Sequence, residues 1–128
     1  MAPRNIHFAS LLDVAQRHHA KEFSPVDLTE HMLKRIRAKD RKIKAYATVT
    51  EELARQQAKK AEQEISRGRI RGPLHGVPIA VKDLCFTRGI PTAAGMTIHA
   101  NFKPRYNSTV VQRFAKSGAV LLGKLQMT

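Results

Sequence analysis

The spacing of apolar residues in the first half of the chain predicts three helices. The first is short, and its apolar positions recur at i, i+3, i+4 and i+7, so that one face carries Phe8, Leu11, Leu12 and Ala15. The second begins at an N-cap serine, Ser24, followed by Pro25 and by an acidic residue in the first turn, Asp27. Its apolar stripe consists of Leu28, Met32 and Ile36.

The third predicted helix begins after Thr50, which we expect to cap it. Its apolar positions repeat at helical spacing and are Ala54, Ala58, Ala61 and Ile65. Gly68 follows at the point where a left-handed residue would end the helix. Between the second and third helices, apolar and polar residues alternate from Ile43 to Val49, which indicates a short strand or an extended link.

The second half of the chain has a different pattern, because glycine and proline interrupt it and the apolar runs are short. Residues 77–84 and 119–123 predict buried strands, and segment 87–95 predicts a loop near a site. Asn107 or Ser108 can cap an intervening helix. Its apolar positions are Val110, Val111 and Phe114, and Gly118 is expected to end it. A strand, a helix and a second strand in this order predict a βαβ unit with parallel strands.

These patterns predict an α/β fold within one domain: N-terminal helices over residues 1–71, then the start of an α/β core over residues 72–128. Two parallel strands do not make a complete sheet, because such strands are ordinarily paired on both sides and covered on both faces. We therefore expect the sheet to be incomplete, with a free strand edge that promotes association.

Composition places the chain among folded proteins. It has 128 residues, of which 42% are hydrophobic and 26% charged, and this supports one hydrophobic core. The longest apolar run, Ala119–Leu122, is too short to span a membrane, and residues 1–20 do not predict a secretory signal. A single cysteine, Cys85, cannot form an internal disulfide, so we expect the protein in the reducing cytoplasm.

The formal net charge of +13 could attract nucleic acid or an anionic surface. The excess is shared between residues 1–72 (16 basic, 9 acidic) and residues 73–128 (7 basic, 1 acidic), so there is no single basic tail. The densest cluster lies at the end of the second helix and comprises Lys34, Arg35, Arg37, Lys39, Arg41, Lys42 and Lys44. We interpret it as a solvated helix end, with a phosphate-binding surface as the alternative.

The most informative segment is G-P-L-H-G-V-P-I-A-V-K-D-L, residues 72–84, which ends an apolar strand with Lys82. Burial disfavours the charged form of a lysine, and a neutral amine can accept a proton from a nucleophile. A solvated Lys82, or one paired with Asp83, is the alternative. The adjacent Cys85 is expected to be a buried, unreactive thiol, and His75 to be structural.

This segment closely resembles the stretch that bears the catalytic lysine in amidase-signature enzymes. The similarity continues through G-I-P-T-A-A-G (89–95), T-V-V-Q-R-F (109–114) and S-G-A-V-L-L-G-K-L-Q-M-T (117–128), and it covers about 100 residues in register. The chain differs from the family pattern at Met96, at Asn107-Ser108 and at Gln126. The resemblance implies an amidase-signature α/β/α fold, of which this chain contains the amino-terminal part.

The resemblance also implies an activity, the hydrolysis of amide bonds by a nucleophilic serine, a bridging serine in a cis peptide, and Lys82 as the catalytic base. Both serines are expected beyond Thr128, so we expect the chain alone to be inactive. The serines it does contain should serve as caps, turns or surface residues: Ser10, Ser24, Ser66, Ser108 and Ser117. No cofactor and no metal are expected; His18-His19 lacks further metal ligands.

The expected partners are a small-molecule amide substrate, once the domain is complete, and a downstream amidase fragment. An alternative within the family is the A subunit of a tRNA-dependent amidotransferase, which releases ammonia from glutamine and works with further amidotransferase subunits. A different alternative is a basic module that binds nucleic acid or acts as a scaffold without catalysis. We expect neither nucleic acid nor a membrane as a partner.

Overall fold

A computed structural model describes all residues, 1–128. In chain order, the helices are α1 (Leu11–His19), α2 (Pro25–Ile43), α3 (Glu51–Ser66) and α4 (Thr109–Lys116), and the strands are β1 (Tyr46–Val49), β2 (Pro78–Lys82) and β3 (Val120–Leu125). Short 3-10 helices occupy Ile6–Phe8 and Thr97–His99. The fold is mixed α/β, as the sequence predicts.

The three strands form one sheet in the order β1-β3-β2. Strands β2 and β3 are parallel and joined through α4, which confirms the predicted βαβ unit. Strand β1 pairs with β3 in the antiparallel direction, and this pairing was not predicted. It needs Gly123, because a Cβ atom there would lie 2.3 Å from the carbonyl oxygen of Thr48. The sheet therefore joins the helical and the α/β regions of the sequence.

Helices cover both faces of the sheet. On one face, α2 and α3 pack on β3 in a buried cluster made of Leu33, Ile36, Ala54, Ala58, Val120 and Leu122. On the other face, Val111 of α4 packs on Val81 and Leu121. The alanine stripe of α3 predicted from the sequence is buried, because small side chains allow the helix to approach its neighbours closely. None of the helices is long and apolar enough to cross a membrane.

The predicted start of α2 is confirmed. The Ser24 hydroxyl accepts a hydrogen bond from Asp27 N at 3.0 Å, and the Asp27 carboxylate accepts one from Ser24 N at 3.2 Å. Pro25 occupies the first helical turn, where its missing N–H is not needed. Gly68 has φ +78° after the end of α3, as predicted for a left-handed residue.

Two local predictions are wrong. The buried face of α1 consists of Val14, Ala15 and His18, while Phe8 precedes the helix and is 77% exposed. The helix begins after the N-cap Ser10. Phe8 lies before this point, so it cannot share a helical face with Leu11, Leu12 and Ala15.

Thr50 occupies the N-cap position of α3, but its hydroxyl does not cap the helix. It donates instead to the carbonyl oxygen of Leu121 at 2.7 Å. Because β1 ends beside β3, this hydroxyl links the start of α3 to the sheet rather than to the first turn of the helix.

Candidate active site

The candidate site lies at the edge of the sheet where β2 and β3 both end. Parallel strands have their carboxyl ends at the same edge, and in open α/β sheets this edge is the usual position of ligand sites. Lys82 is the last residue of β2. Its Nζ donates a hydrogen bond of 2.8 Å to the carbonyl oxygen of Gln126, just beyond β3. The amine is therefore held at this edge by the main chain.

The structure corrects the expected environment of Lys82. Its side chain is exposed rather than buried: it stands at the end of β2 and points to the face opposite that of Val81, which packs beneath α4. Asp83 is not its partner either. The Asp83 carboxylate lies 3.6 Å from the Nζ atom of a different lysine, Lys124.

Lys124 is the buried lysine of this edge, and sequence reasoning assigned it no role. Its side chain is completely buried in β3, and its Nζ donates to the Thr92 hydroxyl at 2.8 Å. Burial lowers the pKa of Lys124, and the negative charge of Asp83 opposes that shift. The signal in the sequence was a charged residue within the apolar run of β3, directly before Leu125.

The segment between β2 and α4 is irregular, as the turn-forming residues predict, but it is anchored at both ends. Near β2, the amides of Ala93 and Ala94 donate to the Asp83 side chain at 3.2 Å and to its main-chain oxygen at 3.0 Å. Near α4, Ser108 N donates to the carbonyl oxygen of Phe86 at 2.8 Å. The segment therefore folds back onto the residues that follow β2.

The serines of the chain act as the sequence predicts. Their hydroxyls accept from the first turns of helices or donate to nearby carbonyl oxygens within the same segment; they belong to Ser10, Ser24, Ser66, Ser108 and Ser117. The hydrogen-bond partner of Lys82 Nζ is a main-chain carbonyl, not a hydroxyl. Cys85 is half-buried and free, so the expectation of a buried thiol is wrong. It lies in the turn after β2, one residue beyond the exposed Leu84.

His75 is completely buried, and its neighbours are those of a structural residue. Its Nδ1 accepts from Arg71 N at 3.1 Å, and its Nε2 lies 3.0 Å from a carboxylate oxygen of Glu64. Burial lowers the pKa of His75, while the Glu64 charge opposes that effect. The ring also packs against Gly118, where a Cβ atom would lie 2.3 Å from it.

The basic cluster of α2 lies at the surface. Six of its seven side chains are exposed, and Arg35 is half-buried. Arg37 forms an ion pair of 3.0 Å with Glu51, and the Arg35 guanidinium lies 5.5 Å from the centre of the Phe8 ring. These two contacts involve neither β2 nor the end of β3.

Comparison with known proteins identifies relatives that match most of the chain. The sequence profile of the Amidase family matches residues 27–128. AmiD of Mycobacterium tuberculosis, a protein named as an amidase, is 47% identical over 118 residues, which are 92% of this chain and 25% of that protein. The A subunit of the glutamyl-tRNA(Gln) amidotransferase of Chloroflexus aurantiacus is 45% identical over 106 residues, 83% of this chain and 22% of that protein.

Solved structures give the same result for the fold. The native peptide amidase of Stenotrophomonas maltophilia superposes with a TM-score of 0.90 and 32% identity, over 96% of this chain and 26% of the enzyme. The chain thus spans about a quarter of the length of the relatives that it matches.

Proposed function

This chain belongs to the amidase family, and on that premise we propose that it contributes the proton-transferring lysine, Lys82, of an amide hydrolase. The observation that supports this role is the position of its amine, at the shared carboxyl end of β2 and β3 with one carbonyl partner, Gln126. A lysine at this edge can reach a substrate outside the sheet. Lys124, in contrast, is enclosed on all sides.

The proposed chemistry is acyl transfer through a Ser–cis-Ser–Lys arrangement. A serine hydroxyl is a weak nucleophile until a base removes its proton. The neutral amine of Lys82 would accept that proton through the bridging serine as the nucleophile attacks the amide carbon. The resulting ammonium would return a proton to the leaving nitrogen, and water would then hydrolyse the acyl-enzyme with the same amine as the base.

We propose that residues 1–128 form the amino-terminal part of one amidase domain, with helices in residues 1–71 and the start of the α/β core in residues 72–128. The two catalytic serines would then come from chain outside this sequence, since the serines present are engaged as caps and turns. Additional chain over the edge of the sheet would also withdraw Lys82 from water, and this favours a neutral amine.

A chimaera tests the proposal. Residues 1–128 replace the matching quarter of AmiD, and ammonia release from simple carboxamides is measured. We expect hydrolysis, and a loss of about 10²- to 10⁴-fold when Lys82→Ala removes the base. Lys59→Ala, on an exposed part of α3, is the matched control and should leave the rate unchanged. Full turnover by the Lys82→Ala chimaera would refute the role of this lysine.

A second candidate within the family is the A subunit of an amidotransferase, supported by the 45% identity to the Chloroflexus aurantiacus protein. Its substrate would be glutamine, and its partners would be the other amidotransferase subunits. A chimaera built on the Chloroflexus aurantiacus protein distinguishes the two candidates. Release of ammonia from glutamine only in the presence of the partner subunits would favour the amidotransferase, while hydrolysis of simple carboxamides by the AmiD chimaera favours the amidase.

A further inference from the structure

The buried ion pair between Lys124 and Asp83 requires an explanation, because enclosed charges are costly. Lys124 is 0% exposed and Asp83 is 4% exposed. Removing each charge from water is unfavourable unless close partners compensate. Here the compensation is a contact of 3.6 Å between the charges and a hydrogen bond of 2.8 Å from Lys124 Nζ to Thr92.

These contacts converge on Asp83, the residue after Lys82. Asp83 N donates to the carbonyl oxygen of Leu125 at 2.9 Å, and the Asp83 carbonyl oxygen accepts from Ala94 N at 3.0 Å. Its carboxylate accepts from Ala93 N at 3.2 Å and faces Lys124. Both peptide groups and the side chain of Asp83 are thus held. Because one peptide unit connects the two residues, a fixed Asp83 restricts the direction in which Lys82 leaves the strand.

An irregularity in β3 brings Lys124 to this position. Leu121 pairs with Ile79, but Gly123 pairs with the next residue, Ala80, so that Leu122 is skipped. The skipped residue reverses the alternation of side chains along β3. Lys124 consequently pairs with Val81 and points to the face of α4, whereas Lys82 pairs with Leu125 and points to the opposite face.

We infer that Lys124 is a positioning residue, which acts through Asp83 and Thr92 to fix the turn after β2 and thereby the direction of the Lys82 amine. Its amine does not lie beside that of Lys82, because the two side chains point to opposite faces of the sheet and Lys124 is enclosed. The catalytic meaning of this inference rests on the proposed function of Lys82. The positional part does not, and it can be measured without any hydrolysis.

The test is trace acylation of amines in the 128-residue chain at one fixed pH, with the rate at each lysine followed by mass spectrometry. Exposed lysines of α3, Lys59 and Lys60, serve as internal references. In the native chain we expect no labelling of Lys124 and slower labelling of Lys82 than of the references, because Lys82 is held by Gln126.

The decisive variants are Thr92→Val, which removes the hydroxyl that Lys124 binds, and Thr92→Ser, which keeps it. Loss of one such hydrogen bond should raise the labelling rate of Lys82 about three- to tenfold, toward that of Lys59. The serine variant should restore the native rate. Asp83→Asn, which removes the opposing charge at equal size, should resemble Thr92→Val.

Three results would overturn the inference. One is equal labelling of Lys82 in the Thr92→Val and Thr92→Ser variants. Another is native labelling of Lys82 in Asp83→Asn. The third is labelling of Lys124 at the rate of Lys59 in Thr92→Val, because the contacts would then stabilise the whole domain rather than the turn. Full turnover by the Lys82→Ala chimaera would instead refute the catalytic role of Lys82, and the labelling result would still stand.

Discussion

Acidification should destabilise the chain through His18, a buried histidine of α1. The ring is 1% exposed and packs edge-on against Phe23, with ring centres 5.0 Å apart. Burial is the main cause that lowers the pKa of His18 from 6.5 to about 4, and the charge of the neighbouring His19 acts in the same direction. His18 therefore binds a proton less readily in the folded chain than in the unfolded chain.

The sign and size of the effect follow from the two pKa values. Between pH 6.5 and pH 4 the unfolded state binds more protons, so the free energy of unfolding falls as the pH falls. A difference of one pKa unit corresponds to about 1.4 kcal/mol, so the shift of His18 amounts to at most about 3 kcal/mol. About 2 kcal/mol of this should be lost between pH 7.5 and pH 5. The lowered pKa of the buried His75 acts in the same direction.

Urea unfolding followed by circular dichroism at pH 7.5, 6.5, 5.5 and 5.0 measures this loss. His18→Gln removes the titrating group while keeping a polar side chain, and it should flatten the pH dependence by about 2 kcal/mol. His99→Gln, at an exposed position, is the matched control and should retain the native slope. The reasoning fails if His18→Gln and the native chain lose stability equally on acidification.

Three further substitutions test the fold by urea unfolding at neutral pH. Ser24→Ala removes the cap of α2 and should cost about 1 kcal/mol, with Ser24→Asp close to native. Gly118→Ala should lower the free energy of unfolding by about 1–3 kcal/mol, because the φ of Gly118 is +76° and a Cβ atom would collide with His75. An unchanged free energy of unfolding would contradict this close approach. Thr50→Val should cost about 1 kcal/mol through the lost bond to Leu121, and Thr50→Ser should not.

Features that depend on neighbouring residues could be predicted from the sequence. The capping box of α2 needs only Ser24 and Asp27, three positions apart, and the burial of α3 follows from its alanine spacing. The βαβ unit follows from the order of its elements. In each case, the residues that determine the structure lie within one element or in consecutive ones.

Features that depend on distant contacts could not be predicted. Nothing near Tyr46 indicates that β1 will pair with β3, about eighty residues later; the contact becomes possible because Gly123 has no side chain. The buried face of α1 was missed for a related reason, since it includes His18, a polar residue that pattern analysis places outside. Thr50 likewise bonds to a strand that is distant in sequence.

The two lysines of the site depend on both local sequence and distant contacts. Family resemblance points to Lys82 by its motif, but the skipped residue Leu122 decides which face of the sheet Lys124 occupies. Without that irregularity, the alternation of β3 would turn Lys124 toward the helices α2 and α3, away from Asp83. The enclosed ion pair between Lys124 and Asp83 is therefore a consequence of one change in strand register. Any alteration that restores regular pairing at Leu122 should separate Lys124 from Asp83 and release the turn that carries Lys82.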